Sequence, residues 1–155
     1  MLTLPFALAA CTATGAGGPA LPGYVNAPPP PLAAAAVAVA ETLPMGVVWS
    51  WQGTQMNDTR VVPDAPERYT LEFLPGDKIG VRADCNRGNG NYQRDGNAIA
   101  IGPIALTRMM CPSGSRDAEF LKGLANASGL LFRGSDLVLT LKVDSGSMRF
   151  TPSRP

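Results

Sequence analysis

The chain has 155 residues, with 13 Lys+Arg against 12 Asp+Glu, a net charge of +1 and no histidine. The near-balance argues against nucleic-acid binding through a broad basic surface. The missing histidine removes the usual general base, most zinc sites and every Ser-His or Cys-His nucleophile pair.

Glycine (17) and proline (15) together make about a fifth of the chain, which disfavours long helices, while 45% hydrophobic residues argue against a disordered chain. Charge is unevenly spread. Residues 1–40 contain no Asp, Glu, Lys or Arg; the first charge is Glu41 and all others follow Val48. The opening Met1-Leu2-Thr3-Leu4-Pro5-Phe6-Ala7-Leu8 is apolar, and Leu8-Ala9-Ala10-Cys11 resembles the bacterial lipobox. There a signal peptide is cut before the cysteine, whose thiol receives a lipid. Residues 1–11 thus read as a lipoprotein-type signal segment ending at Cys11. Two or three acyl chains, at ~0.8 kcal/mol per buried methylene, hold a protein firmly on a membrane.

A second export signal is available. Leu32 to Ala40 is an apolar run ending in Ala38-Val39-Ala40, an A-x-A pattern whose cleavage after Ala40 gives a soluble periplasmic protein. The Pro28–Pro31 run before it is unlike a signal n-region, so the lipobox is preferred. Neither apolar segment approaches the ~20 residues of a membrane-spanning helix. Residues 12–45, rich in Ala, Pro and Gly, read as a flexible tether stiffened locally by Pro28–Pro31. The expected location is the bacterial cell envelope, lipid-anchored and facing the periplasm.

Strand patterns dominate from Val47 onward. Val47-Val48-Trp49-Ser50-Trp51 is β-prone and puts both tryptophans on one side. Tyr69, Leu71 and Phe73 alternate with Thr70 and Glu72, Pro75-Gly76-Asp77 supplies a turn, and Ile79, Val81, Ala83 and Cys85 share the next apolar face. Asn86 to Gly90 reads as a glycine-rich loop. Asn91–Arg94 and Ala98–Ile101 form a second hairpin across Asp95-Gly96-Asn97, and Ile104–Thr107 continues the sheet.

Helical spacing appears once. Ser115 suits the cap, Asp117 and Glu119 suit the first turn, Phe120, Leu121, Leu124 and Ala125 form an apolar face, and Gly129 lies beyond the end. Leu130–Phe132, Leu137–Leu141 and Met148–Phe150 complete the strands. The fold class is α+β, mostly β: a small antiparallel sheet of seven or eight strands, curled into an open barrel with one packed helix. Curling hides sheet edges.

Cys85 and Cys111 are an even pair in an exported domain, which reads as a disulfide. A catalytic thiol is the alternative; it needs a neighbouring cation such as Arg82 or Arg108, and a base this chain lacks. With those two paired, Cys11 stays free for lipidation.

From Trp51 to Phe150 the chain resembles the META domain, the family of the bacterial heat-shock lipoprotein HslJ. The resemblance rests on Tyr69-Thr70-Leu71-Glu72-Phe73, Cys85-Asn86-Arg87-Gly88-Asn89-Gly90-Asn91-Tyr92, Ile99-Ala100-Ile101-Gly102 and Thr107-Arg108-Met109-Met110-Cys111. Glu119–Leu124 and Leu137-Val138-Leu139 follow in the same order. A META domain over residues 46–152 is expected. One departure is Asp84, where many members carry glycine. The resemblance implies a β-rich fold with a helix, an envelope location, frequent lipid anchoring, links to heat shock and novobiocin resistance, and no established enzymatic activity or cofactor.

The best candidate ligand surface is Asn86, Arg87 and Asn91 with Tyr92 and Arg108 nearby. Convergent amides at Gly88 and Gly90 and the Arg87 cation suit an anion or a glycan, although glycines and asparagines equally make tight turns. Trp49 and Trp51 suit sugar stacking or, more commonly, a core. The scattered Asp58, Asp64, Glu67, Glu72, Asp77 and Asp84 form no acid/base or calcium pattern. The favoured function is a tethered, non-catalytic binding or stress-protection module, with an envelope protein or glycan as partner, no cofactor, no metal and a monomeric state. Alternatives are a glycan-acting envelope enzyme using carboxylates, and a protease-inhibitor-like domain presenting a strand edge.

Overall fold

The computed structural model describes residues 42–153. The expected signal segment, Cys11, the Ala40 cleavage point and residues 12–41 of the tether lie outside the described residues. Leu43, expected in the tether, is buried in the core, and the Gly46 amide donates to the Phe73 carbonyl at 3.0 Å.

Among the described residues, ten strands and one α-helix follow in chain order. They are β1 (Val48–Met56), β2 (Arg60–Val61), β3 (Tyr69–Leu74), β4 (Lys78–Ala83), β5 (Asn86–Asp95), β6 (Ala98–Ile101) and β7 (Ala105–Leu106). After these come α1 (Asp117–Ala125), β8 (Ala127–Arg133), β9 (Asp136–Leu141) and β10 (Gly146–Pro152). All pairings are antiparallel. Eight strands form a ring in the order β1-β3-β4-β5-β6-β8-β9-β10, closed by β10 against β1. β2 extends from β1, and β7 lies beside the first half of β5. The mostly β, α+β class is as expected, and closure goes further than an open barrel. The thinnest seam is β6–β8, where the register holds one pair, Ala98 with Gly129, supported by the Leu130 amide on the Asn97 carbonyl at 2.7 Å.

Period-2 patterning decides which side chains enter the barrel. Tyr69, Leu71 and Phe73 of β3 and Ile79, Val81 and Ala83 of β4 are buried, with Thr70, Glu72 and Arg82 on the outer face. Both tryptophans of β1 are inside. Trp51 packs on Tyr69 and Phe120 with ring centroids 5.5 and 5.2 Å apart, and Trp49 packs on Phe132 at 5.7 Å. Neither ring is available to stack on a sugar. β1 carries a bulge between Trp51 and Gly53. Gly53 has φ +137°, and a Cβ there would stand 2.7 Å from the Val61 carbonyl oxygen.

Two expectations are corrected. Asn86–Gly90 is a strand, the start of β5, paired residue for residue with β4. Its glycines serve close packing: a Cβ on Gly88 would fall 2.0 Å from the Ala105 oxygen, where β7 crosses. Neither Gly88 nor Gly90 has the positive φ that a turn or an anion-binding nest uses. The turn lies one step earlier, at Asp84-Cys85.

The helix also differs in detail. Its cap position is Arg116, while the Ser115 hydroxyl accepts the Asp117 amide at 3.3 Å. It buries Phe120, Gly123 and Leu124; Leu121 is half-buried and Ala125 exposed. Phe120 reaches Trp51, Tyr69 and Phe150, so the helix plugs the barrel with an aromatic ring. Gly129 sits inside β8, because the chain leaves the helix at Asn126 and enters the strand directly.

Candidate functional site

β5 alternates, and this divides the residues expected to form one ligand surface. Asn86 and Tyr92 point inward and are buried; Arg87 and Asn91 point outward and are exposed. Arg108 is exposed on the segment after β7.

Asn86 acts as a clamp. Its Oδ1 accepts from the Met109 amide at 2.7 Å and the Thr107 hydroxyl at 3.0 Å, and its Nδ2 donates to the Met109 carbonyl at 3.1 Å. The same Nδ2 lies 3.4 Å from Cys111 Sγ and 3.5 Å from Cys85 Sγ. The two cysteines form a disulfide with Cα atoms 5.5 Å apart. The bridge is half-buried rather than sunk in the core, since Cys85 stands in the turn beyond β4. Paired in this way, neither sulfur is a free thiol. Thr107 adds a backbone bond to the Arg87 carbonyl at 2.9 Å and accepts the Arg87 amide on its hydroxyl at 3.1 Å.

The segment 107–111 is thus pinned from several directions, yet it carries Met109 at 62% and Met110 at 98% exposure. Sequence reasoning missed this pair. The Thr-x-Met-x-Cys spacing was the visible signal, but exposure of a methionine is decided by how the backbone turns. Asn86→Ala is expected to cost about 1–3 kcal/mol, because the Met109 amide and carbonyl lose their partner in a part-buried place. The shift in the urea midpoint measures it.

Tyr92 packs edge-on against Phe73 with centroids 5.2 Å apart. Burial pushes its phenol above the usual tyrosine value, and the Asp77 carboxylate adds to the rise while Arg94 opposes it. A raised folded-state pKa stabilises the fold fully below the unfolded value near 10, and this contribution is lost as pH rises through the folded value. Stability is therefore expected to fall above about pH 10, and Tyr92→Phe to lessen that fall. Denaturation of both proteins between pH 8 and about pH 11 checks it.

Asp84 is 2% exposed and has φ +57°. The left-handed backbone explains why glycine suits this position and makes Asp, which tolerates it, an acceptable substitute. Its carboxylate is paired with the Arg68 guanidinium, and its carbonyl accepts from Arg82 Nε at 3.2 Å. The pair borders a small cleft of about 100 Å³ beside Tyr69 and Ser115. Tyr69 in turn accepts the Arg116 amide on its hydroxyl at 2.8 Å, which ties the start of the helix to β3. Asp64 lies at the same cleft, and Glu72 lies on a separate, open trough on the outer face. Among the described residues, no group of three or more Cys, Asp or Glu side chains could hold a metal ion.

The profile of the META domain matches residues 46–154. The fold is similar to a solution structure of a protein from Burkholderia xenovorans, with 23% identity over 72% of this chain and 84% of that one, and a TM-score of 0.56. A DUF4847 family protein from Bacteroides vulgatus is 18% identical over 70% of this chain and 93% of that one, with a TM-score of 0.48. No curated protein matches the chain. The profile spans the closed barrel, the helix that plugs it and the disulfide beside Asn86, and the chain belongs to the META domain family.

Proposed function

We propose that this META domain is a non-catalytic binding module of the cell envelope, tethered through a lipid on Cys11 and serving stress protection by holding a partner at its surface. The observation that carries this reading is the Met109–Met110 tip. Exposed apolar side chains normally scatter singly. Here two adjacent methionines stand out on a backbone fixed by Asn86 and by the Cys85–Cys111 bridge. A prepaid backbone removes ordering cost on binding, and flexible thioethers adapt to a partner's apolar pocket. Arg108 beside the tip adds a cation. The barrel interior supports a surface role, since Trp51, Phe73, Phe120 and Phe150 occupy it with no exposed surface.

A photo-crosslinking residue at position 110 of the full chain, activated in the native envelope, is expected to give a discrete adduct that Asn86→Ala reduces. Adduct formation equal to that from exposed Val143 on the 142–144 turn would refute the tip as contact point. Metabolic labelling with a tagged fatty acid should mark the wild-type chain and spare Cys11→Ala; labelling of both would end the anchor reading.

A further inference from the structure

The outer face of β3–β4–β5 gathers two arginines that no carboxylate among the described residues pairs, although Arg82 Nε is held by the Asp84 carbonyl at 3.2 Å. Arg82 and Arg87 stand directly opposite each other across β4 and β5, and Thr70 faces Arg82 from β3. Like charges in register repel. Among the described residues neither guanidinium has an ion pair with a carboxylate. One row along, Glu72 faces Gly80.

Gly80 is the second observation. It sits mid-strand in β4, where glycine weakens a sheet. Its φ is not positive, and a Cβ there would meet nothing nearer than Glu72 Oε2 and Leu74 Cδ1, both at 3.7 Å. Gly88, by contrast, is compelled by the Ala105 carbonyl. Neither backbone nor packing explains Gly80. It forms part of the floor of an open trough of about 310 Å³ bordered by Thr70, Glu72, Arg82 and Arg87.

We infer that this trough is a binding site for a phosphate monoester or diester group. The Arg87 fork and the terminal N–H groups of Arg82, whose Nε stays on the Asp84 carbonyl, match tetrahedral phosphate oxygens, and the Thr70 hydroxyl supplies a further donor. Glu72, across the space left by Gly80, repels a second anion and accepts from hydroxyl or amine groups. The ligand thus carries a single phosphate next to hydrogen-bond donors. The site is distinct from the methionine tip and stands without it.

The test uses the purified full chain with inorganic phosphate and glycerol phosphate as solutes, and with phosphatidylcholine vesicles containing or lacking phosphatidylglycerol. Amide chemical shifts on β4 and β5 are expected to move saturably with glycerol phosphate, more tightly than with inorganic phosphate. Arg87→Gln should weaken binding about tenfold. Gly80→Val should weaken it strongly without lowering the melting temperature, because valine suits a strand and raises the trough floor between Glu72 and Arg82. Binding to solutes but to neither vesicle supports a soluble ester; retention on phosphatidylglycerol vesicles, lost in Arg87→Gln, supports a lipid headgroup. Absence of saturable shifts with every probe, or unchanged binding in a folded Gly80→Val protein, overturns the site.

Discussion

Trp51→Ala is expected to cost about 3–5 kcal/mol, the range for truncating a fully buried large aromatic. Trp51 has no exposed surface and lies at the meeting point of β1, β3 and α1. Removing it leaves Tyr69 and Phe120 facing a void and takes away the donor that reaches Thr54 Oγ1 at 3.2 Å. The helix then loses the nearest of the three aromatic contacts of Phe120 and keeps those with Tyr69 and Phe150. Against a typical total of about 5–15 kcal/mol, the loss is a large part of the fold's stability. Equilibrium unfolding in urea measures it. Trp49→Phe is the matched control: Trp49 Nε1 is buried without a hydrogen-bond partner, so the replacement sacrifices no bond and should cost much less. A Trp51→Ala midpoint close to that of Trp49→Phe would contradict the aromatic plug.

Loss of the disulfide is the second large effect. Cys85 and Cys111 are 26 residues apart, for which the chain-entropy relation gives roughly 3.5 kcal/mol. The double replacement Cys85→Ser with Cys111→Ser should therefore lower the unfolding free energy by about that amount, and dithiothreitol should do the same to the wild-type chain. Asn86 couples to this bridge, because its Nδ2 contacts both sulfurs while its other bonds hold Met109. The effects of removing Asn86 and the bridge are expected to be non-additive in a double-mutant cycle. Thiol alkylation of the unreduced protein tests the linkage itself; free reactivity at both cysteines would refute it.

The alternation in Tyr69–Phe73 and Ile79–Ala83 made β3 and β4 readable with their faces, since one side chain in two must enter a barrel. The same rule misread β5. Its inward positions are Asn86, Gly88, Gly90 and Tyr92, and three of these do not look like core. Asn86 is buried because the 107–111 segment supplies partners for its amide. Gly88 is glycine because β7 crosses 2.0 Å from where a Cβ would stand. Both reasons come from a chain segment about twenty residues away, so local pattern pointed to a loop. The expected ligand surface divided for the same reason: strand alternation sends neighbours to opposite faces, leaving Arg87 and Asn91 outside and Asn86 and Tyr92 within. The helix was placed correctly by Asp117, Glu119 and its apolar spacing, and Gly129 beyond its end falls within β8 because tertiary pairing of Ala127 with Leu141 begins that strand at once.

By itself the sequence determined the charge-free first forty residues, the class of the folded part, its helix, its cysteine pair and its family. These depend on periodicity, turn residues and motif spacing, all of which are local. Only the tertiary structure decided that β10 closes the ring on β1, that Asp84 is sealed in an ion pair with Arg68, and that Met109 and Met110 are presented to solvent. The tertiary structure also decided that Arg82 and Arg87 oppose each other above an unfilled Gly80. Such features are set by which strands become neighbours and in what register. That choice is made by the packing of the whole barrel around Trp51 and Phe120, and no short stretch of the chain contains it.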